Sequence, residues 1–100
     1  MIRHLVMFKL RDYDTPEEKM KAIERVRAEL ILLKKKIPFI LEFNVGINFS
    51  LDDAAYDLVI NSSFSSKEDL QNYQVHQDHQ AFILFNKDYS IKKVVLDYEY

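Results

Sequence analysis

From Ile2 to Leu10 only Arg3, His4 and Lys9 interrupt a run of apolar side chains. Alternate residues of an extended chain point to opposite faces. Ile2, His4, Val6, Phe8 and Leu10 therefore share one side, and Arg3, Leu5, Met7 and Lys9 the other. Apolar residues on both sides predict a central strand. The period then changes. Met20, Ile23, Val26 (or Arg27), Leu30, Leu33 and Ile37 recur at steps of three and four, which marks one face of a helix. Thr15, Pro16 and Glu18 read as its N-cap, first residue and capping-box partner. Acids open this helix and Lys34, Lys35 and Lys36 end it, as the helix dipole favours. Pro38 stops it, because the residue before a proline is disfavoured in helical geometry.

Strict alternation returns between Ile40 and Phe49, where Leu41, Phe43, Val45, Ile47 and Phe49 face one way and Glu42, Asn44, Gly46 and Asn48 the other. This predicts a second strand, with Gly46 at a bulge or a close packing contact. Ser50 to Asp53 reads as a turn. Ala55 to Phe64 reads as a third strand, with Tyr56, Leu58, Ile60 and Phe64 on one face. Ser65 and Glu68 form a second capping-box pattern, opening a short helix through Leu70 and Tyr73. The helical pattern breaks near His76, resumes around Asp78 with Phe82 and Phe85 apolar, and ends at Asn86 to Asp88. Ile91 to Tyr100 reads as the final strand. The order βαββαβ predicts an α+β, ferredoxin-like domain with an antiparallel four-stranded sheet spanning residues 1–100.

Composition sharpens this picture. The chain is 48% hydrophobic and 13% aromatic, and a hundred-residue monomer buries only about 65% of its unfolded surface. Apolar surface is left over, and pairing with a second copy would cover it. Fourteen Lys and Arg against sixteen Asp and Glu give a net charge of −2, so nucleic acid has no electrostatic footprint. With no cysteine, disulfides, thiolate nucleophiles and Cys-ligated metals are excluded. One glycine excludes phosphate loops and dinucleotide folds, which need several. No run approaches the ~20 apolar residues of a membrane span, and the run ending at Leu10 leads to no small-residue cleavage site. A cytoplasmic location is expected, with no membrane partner and no cofactor.

The chemistry gathers in Tyr73 to Phe82, which holds two of the three histidines. Tyr73, His76 and His79 lie at steps of three, and on a helix such neighbours share a side. His4 joins them if the even face of the first strand looks at the helices, and Val6 and Phe8 then floor the same cavity, with Phe82 beside them and His76 at the rim. Neutral imidazole both gives and takes a proton near neutral pH. A tyrosine hydroxyl can steady an enolate or orient a carbonyl. Structural roles compete: His4 as a core histidine bonded to a backbone carbonyl, His76 as a solvated or capping residue, and the lysine run as a solvated helix end. No metal is expected, because the histidines come without a carboxylate at fixed spacing.

Five segments, taken in order, resemble one family. They are Ile2 to Lys9 around His4, Val45 to Asn48, Tyr56 to Val59, Phe64 through Glu68 and Tyr73 to His79, and Val95 to Tyr98 around Asp97. Together they resemble the Dabb family, the stress-responsive α/β-barrel proteins, over nearly the whole chain. The resemblance implies a ferredoxin-like monomer whose sheet stacks on that of a second copy, giving a dimeric barrel with the helices outside. Some plant members of that family cyclise linear polyketides with the tyrosine and second histidine of a Tyr-x-x-His-x-x-His motif, beside the histidine of the first strand. Carried over, these are Tyr73, His79 and His4. The chain departs from the usual pattern at Gln77, where proline is common, and its first helix presents aliphatic Ile23 and Val26. Three functions stay open: an enzyme acting on a small carbonyl compound by cyclase-, lyase- or isomerase-like chemistry, a binder of a small apolar ligand, and a structural, stress-associated homodimer.

Overall fold

A computed structural model describes residues Met1–Tyr100. In chain order it contains β1 (Ile2–Leu10), α1 (Pro16–Lys36), β2 (Glu42–Ile47), β3 (Leu58–Phe64), α2 (Lys67–Val75), α3 (Gln77–Asn86) and β4 (Ser90–Glu99). The strands form one antiparallel sheet in the order β2-β3-β1-β4. This is the ferredoxin-like α+β arrangement expected from the pattern. Strand β1 is central: His4 sits opposite Ser62 of β3 on one side and Asp97 of β4 on the other.

The even residues of β1 bury themselves beneath the helices, with Leu10 fully enclosed. They pack with Leu58, Ile60 and Phe64 of β3 and with Ala22, Ile23, Val26, Leu30 and Leu33 of α1. The stripe on α1 is displaced from the sequence reading. Ala22 is in the core, while Met20 is 45% exposed: Ala22 lies four residues before Val26 and shares its buried face. Thr15 caps α1, its hydroxyl accepting from the Glu18 amide at 3.1 Å. Of the three terminal lysines, Lys34 is not simply solvated: its Nζ donates to the Ile40 carbonyl at 2.6 Å and ties down the loop after the helix.

The strand ends are also corrected. β2 stops at Ile47 because Asn48 folds its side chain over Ser50, accepting from its amide and donating to its carbonyl at 2.9 Å each, the Asx-turn chemistry of a strand ender. Leu41 and Phe49, expected in this strand, lie outside it and are exposed. β3 starts at Leu58, since Ala54 and Ala55 are held in a turn by Asp52. Gly46 makes no bulge. It lies opposite Val59, and a Cβ there would meet Val59 Cγ1 at 3.0 Å, so the close-packing reading holds.

The opposite sheet face has no helix. Met7, Val94, Leu96 and Tyr98 stand there at 43–58% exposure, and a shallow groove of about 630 Å³ runs between Met7, Val59 and Val94 beside Gly46. No helix is long and apolar enough to cross a membrane.

Candidate functional site

A cavity of about 280 Å³ lies between β1, β4 and the α2–α3 pair. His4, Val6 and Phe8 reach it from β1, Tyr73 from α2, and His79 and Phe82 from α3. The alternation of β1 fixes the first group. Tyr73 comes from the last two turns of α2, which Ser66 caps by accepting from the Asp69 amide at 3.1 Å. That cap is one residue later than the Ser65–Glu68 pattern suggested; Ser65 instead donates to the Asp69 carboxylate.

His76 does not line the cavity, contrary to the rim position expected for it. It is extended, with φ −61° and ψ 138°, and ends α2 while capping α3. Its Nδ1 accepts from the Asp78 amide at 3.1 Å, and its ring lies 6.4 Å from that of Phe39. The break it makes between the helices turns α3, so that His79 comes back over Tyr73.

Tyr73 stands between the two cavity histidines. Its ring centre is 4.4 Å from that of His79 and 6.0 Å from that of His4, the latter in an edge-on arrangement. Phe64 backs it at 5.2 Å. Burial pushes the Tyr73 phenol well above its ordinary pKa, since a phenolate is poorly solvated there, and the phenol stays protonated near neutral pH as a hydrogen-bond donor. His79 Nδ1 donates to the Gln74 carbonyl at 3.0 Å. A carbonyl only accepts, so the proton sits on Nδ1 and Nε2 keeps a free lone pair. Burial lowers the proton affinity of His79, the Gln74 carbonyl opposes this, and the charges of His4, Lys93 and His76 lower it further.

His4 is buried, and its Nδ1 is bonded to the carboxylate of Asp97, a side-chain partner rather than a backbone carbonyl. A carboxylate on one imidazole nitrogen fixes the tautomer and frees the other for proton transfer. The Ser62 hydroxyl donates to the His4 carbonyl at 3.2 Å, holding the strand beneath the site. Asp97 had no assigned role in the sequence reading. The signal that finds it is register, since β1 and β4 pair in a way that sets His4 against Asp97. Lys87, Lys92 and Lys93 at the cavity opening also went unremarked. No three His, Asp or Glu side chains converge as a metal-binding group.

A four-stranded antiparallel sheet with helices on one face and a titratable cavity beneath them places the chain among ferredoxin-like α+β proteins. Residues 2–100 match the profile of the stress responsive A/B barrel domain, Dabb, and the chain belongs to that family. It is 34% identical over 103 residues to an uncharacterised protein of Streptomyces coelicolor, with both chains fully covered. Among solved structures it is similar to a dimeric protein of unknown function with a ferredoxin-like fold from Bacteroides fragilis. The TM-score there is 0.85 and the identity 27%, with 99% of this chain and 95% of that one covered. It is also similar to a dimeric ferredoxin-like protein of unknown function from Thermobifida fusca. That match has a TM-score of 0.80 at 25% identity and covers 97% and 88% of the two chains.

Proposed function

We propose that residues 1–100 act as one domain of a cytoplasmic homodimer, and that each protomer's cavity takes a small apolar or carbonyl-bearing molecule. In this reading His79, Tyr73 and His4 carry acid/base chemistry of cyclase or lyase type, while Val6, Phe8 and Phe82 hold the apolar part of the ligand. The absence of cysteine fits a reducing compartment. The open apolar sheet face and the dimeric descriptions of the Bacteroides fragilis and Thermobifida fusca proteins support the homodimer.

The observation that carries the catalytic reading is the His79–Tyr73 pair: an imidazole with Nδ1 already committed to Gln74, beside a buried protonated phenol. Nε2 of His79 takes a proton from the carbon next to a carbonyl. The phenol donates a hydrogen bond to the enolate oxygen that results, where a preformed donor in a dry site is most effective. His4, held by Asp97, is the second proton carrier.

One observation favours a second reading, a non-catalytic ligand-binding or structural homodimer. Tyr73 is only 1% exposed and packs on Phe64 as a core side chain would. A thermal-shift screen of carbonyl metabolites, followed by turnover assays on the stabilising compounds, separates the two. The catalytic reading expects His79→Gln to melt within a few degrees of the wild type while turnover falls about 10²–10⁴-fold, the usual contribution of a positioned acid or base. Stabilisation without turnover leaves a binder. A screen in which nothing raises the melting temperature, with His79→Gln more stable than the wild type, leaves a structural dimer.

A further inference from the structure

Charge of a single sign surrounds the opening of the cavity. Lys87 follows α3, and Lys92 and Lys93 lie near the start of β4; all three are exposed and all three line the cavity. No Asp or Glu lines it, although acids outnumber bases sixteen to fourteen in the chain. The ion pairs of the protein use Arg3, Lys19, Arg25, Arg27 and Lys67, with His4 and His76, and leave these three lysines unpaired. Asp97, further along β4, is taken up by His4. Lys93 pairs in register with Phe8, whose side chain faces the helices, and it is close enough for its charge to act on His79. Lys92 pairs with Lys9, so its side chain belongs to the opposite sheet face, and Lys87 and Lys93 are the cations turned to the cavity. Behind this cationic opening the walls are apolar, with Val6, Phe8, Ile60 and Phe82 contributing. Clefts lined by one sign of charge on a low-dielectric wall concentrate ligands of the opposite sign.

We propose that the cavity selects an anionic amphiphile: a small carboxylic acid whose carboxylate lies between Lys87 and Lys93 while its apolar body enters against Phe8 and Phe82. The inference rests on the pocket reading given above and adds the ligand's charge and the position of its head. A volume of about 280 Å³ sits at the small end of ligand pockets and, against about 30 Å³ per liquid water, has room for roughly ten to fifteen non-hydrogen atoms. A medium-chain or single-ring acid has that size.

Octanoate, octanamide and octylamine share a tail and differ in charge. Each is titrated into the protein near neutral pH, with the ring resonances of His79 and Tyr73 followed by NMR. Octanoate is expected to bind about tenfold more tightly than octanamide, the scale of a charge-assisted contact, and octylamine more weakly than either. Raising the salt from about 50 to about 500 mM narrows the difference by screening. The combined Lys87→Gln, Lys93→Gln variant, checked for folding by circular dichroism, binds octanoate no better than octanamide, whereas Lys92→Gln, on the opposite sheet face, keeps the preference for octanoate. Equal wild-type affinity for octanoate and octanamide, with both shifting His79 and Tyr73, overturns the anion selection and leaves the pocket standing. Octanoate binding that leaves those resonances still places the head elsewhere and overturns the proposal. If none of the three compounds moves the resonances, the pocket reading falls with it.

Discussion

The titration of His79 ties the site to stability. Its proton affinity is lowered first by burial, and then by the charges of His4, Lys93 and His76 against the opposing Gln74 carbonyl. Because the folded value lies below the ordinary 6.5, the unfolded chain takes up the proton first as the pH drops. The stability associated with neutral His79 is therefore complete above about 6.5 and is lost as the pH falls toward the folded value. The urea midpoint is expected to be lower near pH 5.5 than near pH 7.5, and His79→Gln should remove part of that difference. A variant that kept all of it would assign the pH dependence to other groups. At this scale the local part of the site was legible. Tyr73 and His79 lie within one stretch, although the break at His76, rather than continuous helical spacing, brings their rings together. The His4–Asp97 pair was not, because its members are 93 residues apart and meet only through the register of two strands.

The junction of α2 and α3 depends on His76, whose side chain caps α3 while its backbone leaves the helical region. His76→Ala removes that cap and is expected to cost about 1 kcal/mol in urea unfolding, the usual range for an N-cap, with no change in any ligand affinity measured at the cavity. A loss of affinity without a loss of stability would return His76 to the site. The break at His76 was readable because the apolar period lapses there. The caps and ends were harder. Ser65 and Ser66 are adjacent and chemically equivalent, and only the bond to Asp69 shows which one caps. Alternation ran on through Phe49, but the Asx turn at Asn48 ended the strand earlier. Local hydrogen bonds decided these boundaries against a hydrophobic pattern that carried no information about them.

For the whole molecule, the uncovered sheet face is the feature on which the proposed homodimer rests. Leu96 stands 58% exposed beside Met7, Val94 and Tyr98, more contiguous apolar surface than isolated exposed residues present. Sedimentation of the wild type is expected to give twice the 11.9 kDa chain mass. Leu96→Glu should shift it to the single-chain value while the circular dichroism keeps its helix and sheet. A wild type that sediments as one chain at micromolar concentration would rule out the homodimer.

The place of β1 in the sheet also governs the order in which the molecule can form. The first strand made is the central one, and it must pair with the last: the Tyr100 amide bonds to the Met1 carbonyl, and Asp97 reaches back to His4. Contacts between residues so far apart along the chain form late and slow folding, because the entropy of closing the loop comes before any reward. On a ribosome the apolar even face of β1 waits for most of the chain to follow it. The cavity between β4 and the helices closes only when this ten-residue strand docks, so a chain that has folded only as far as α3 has no enclosed cavity.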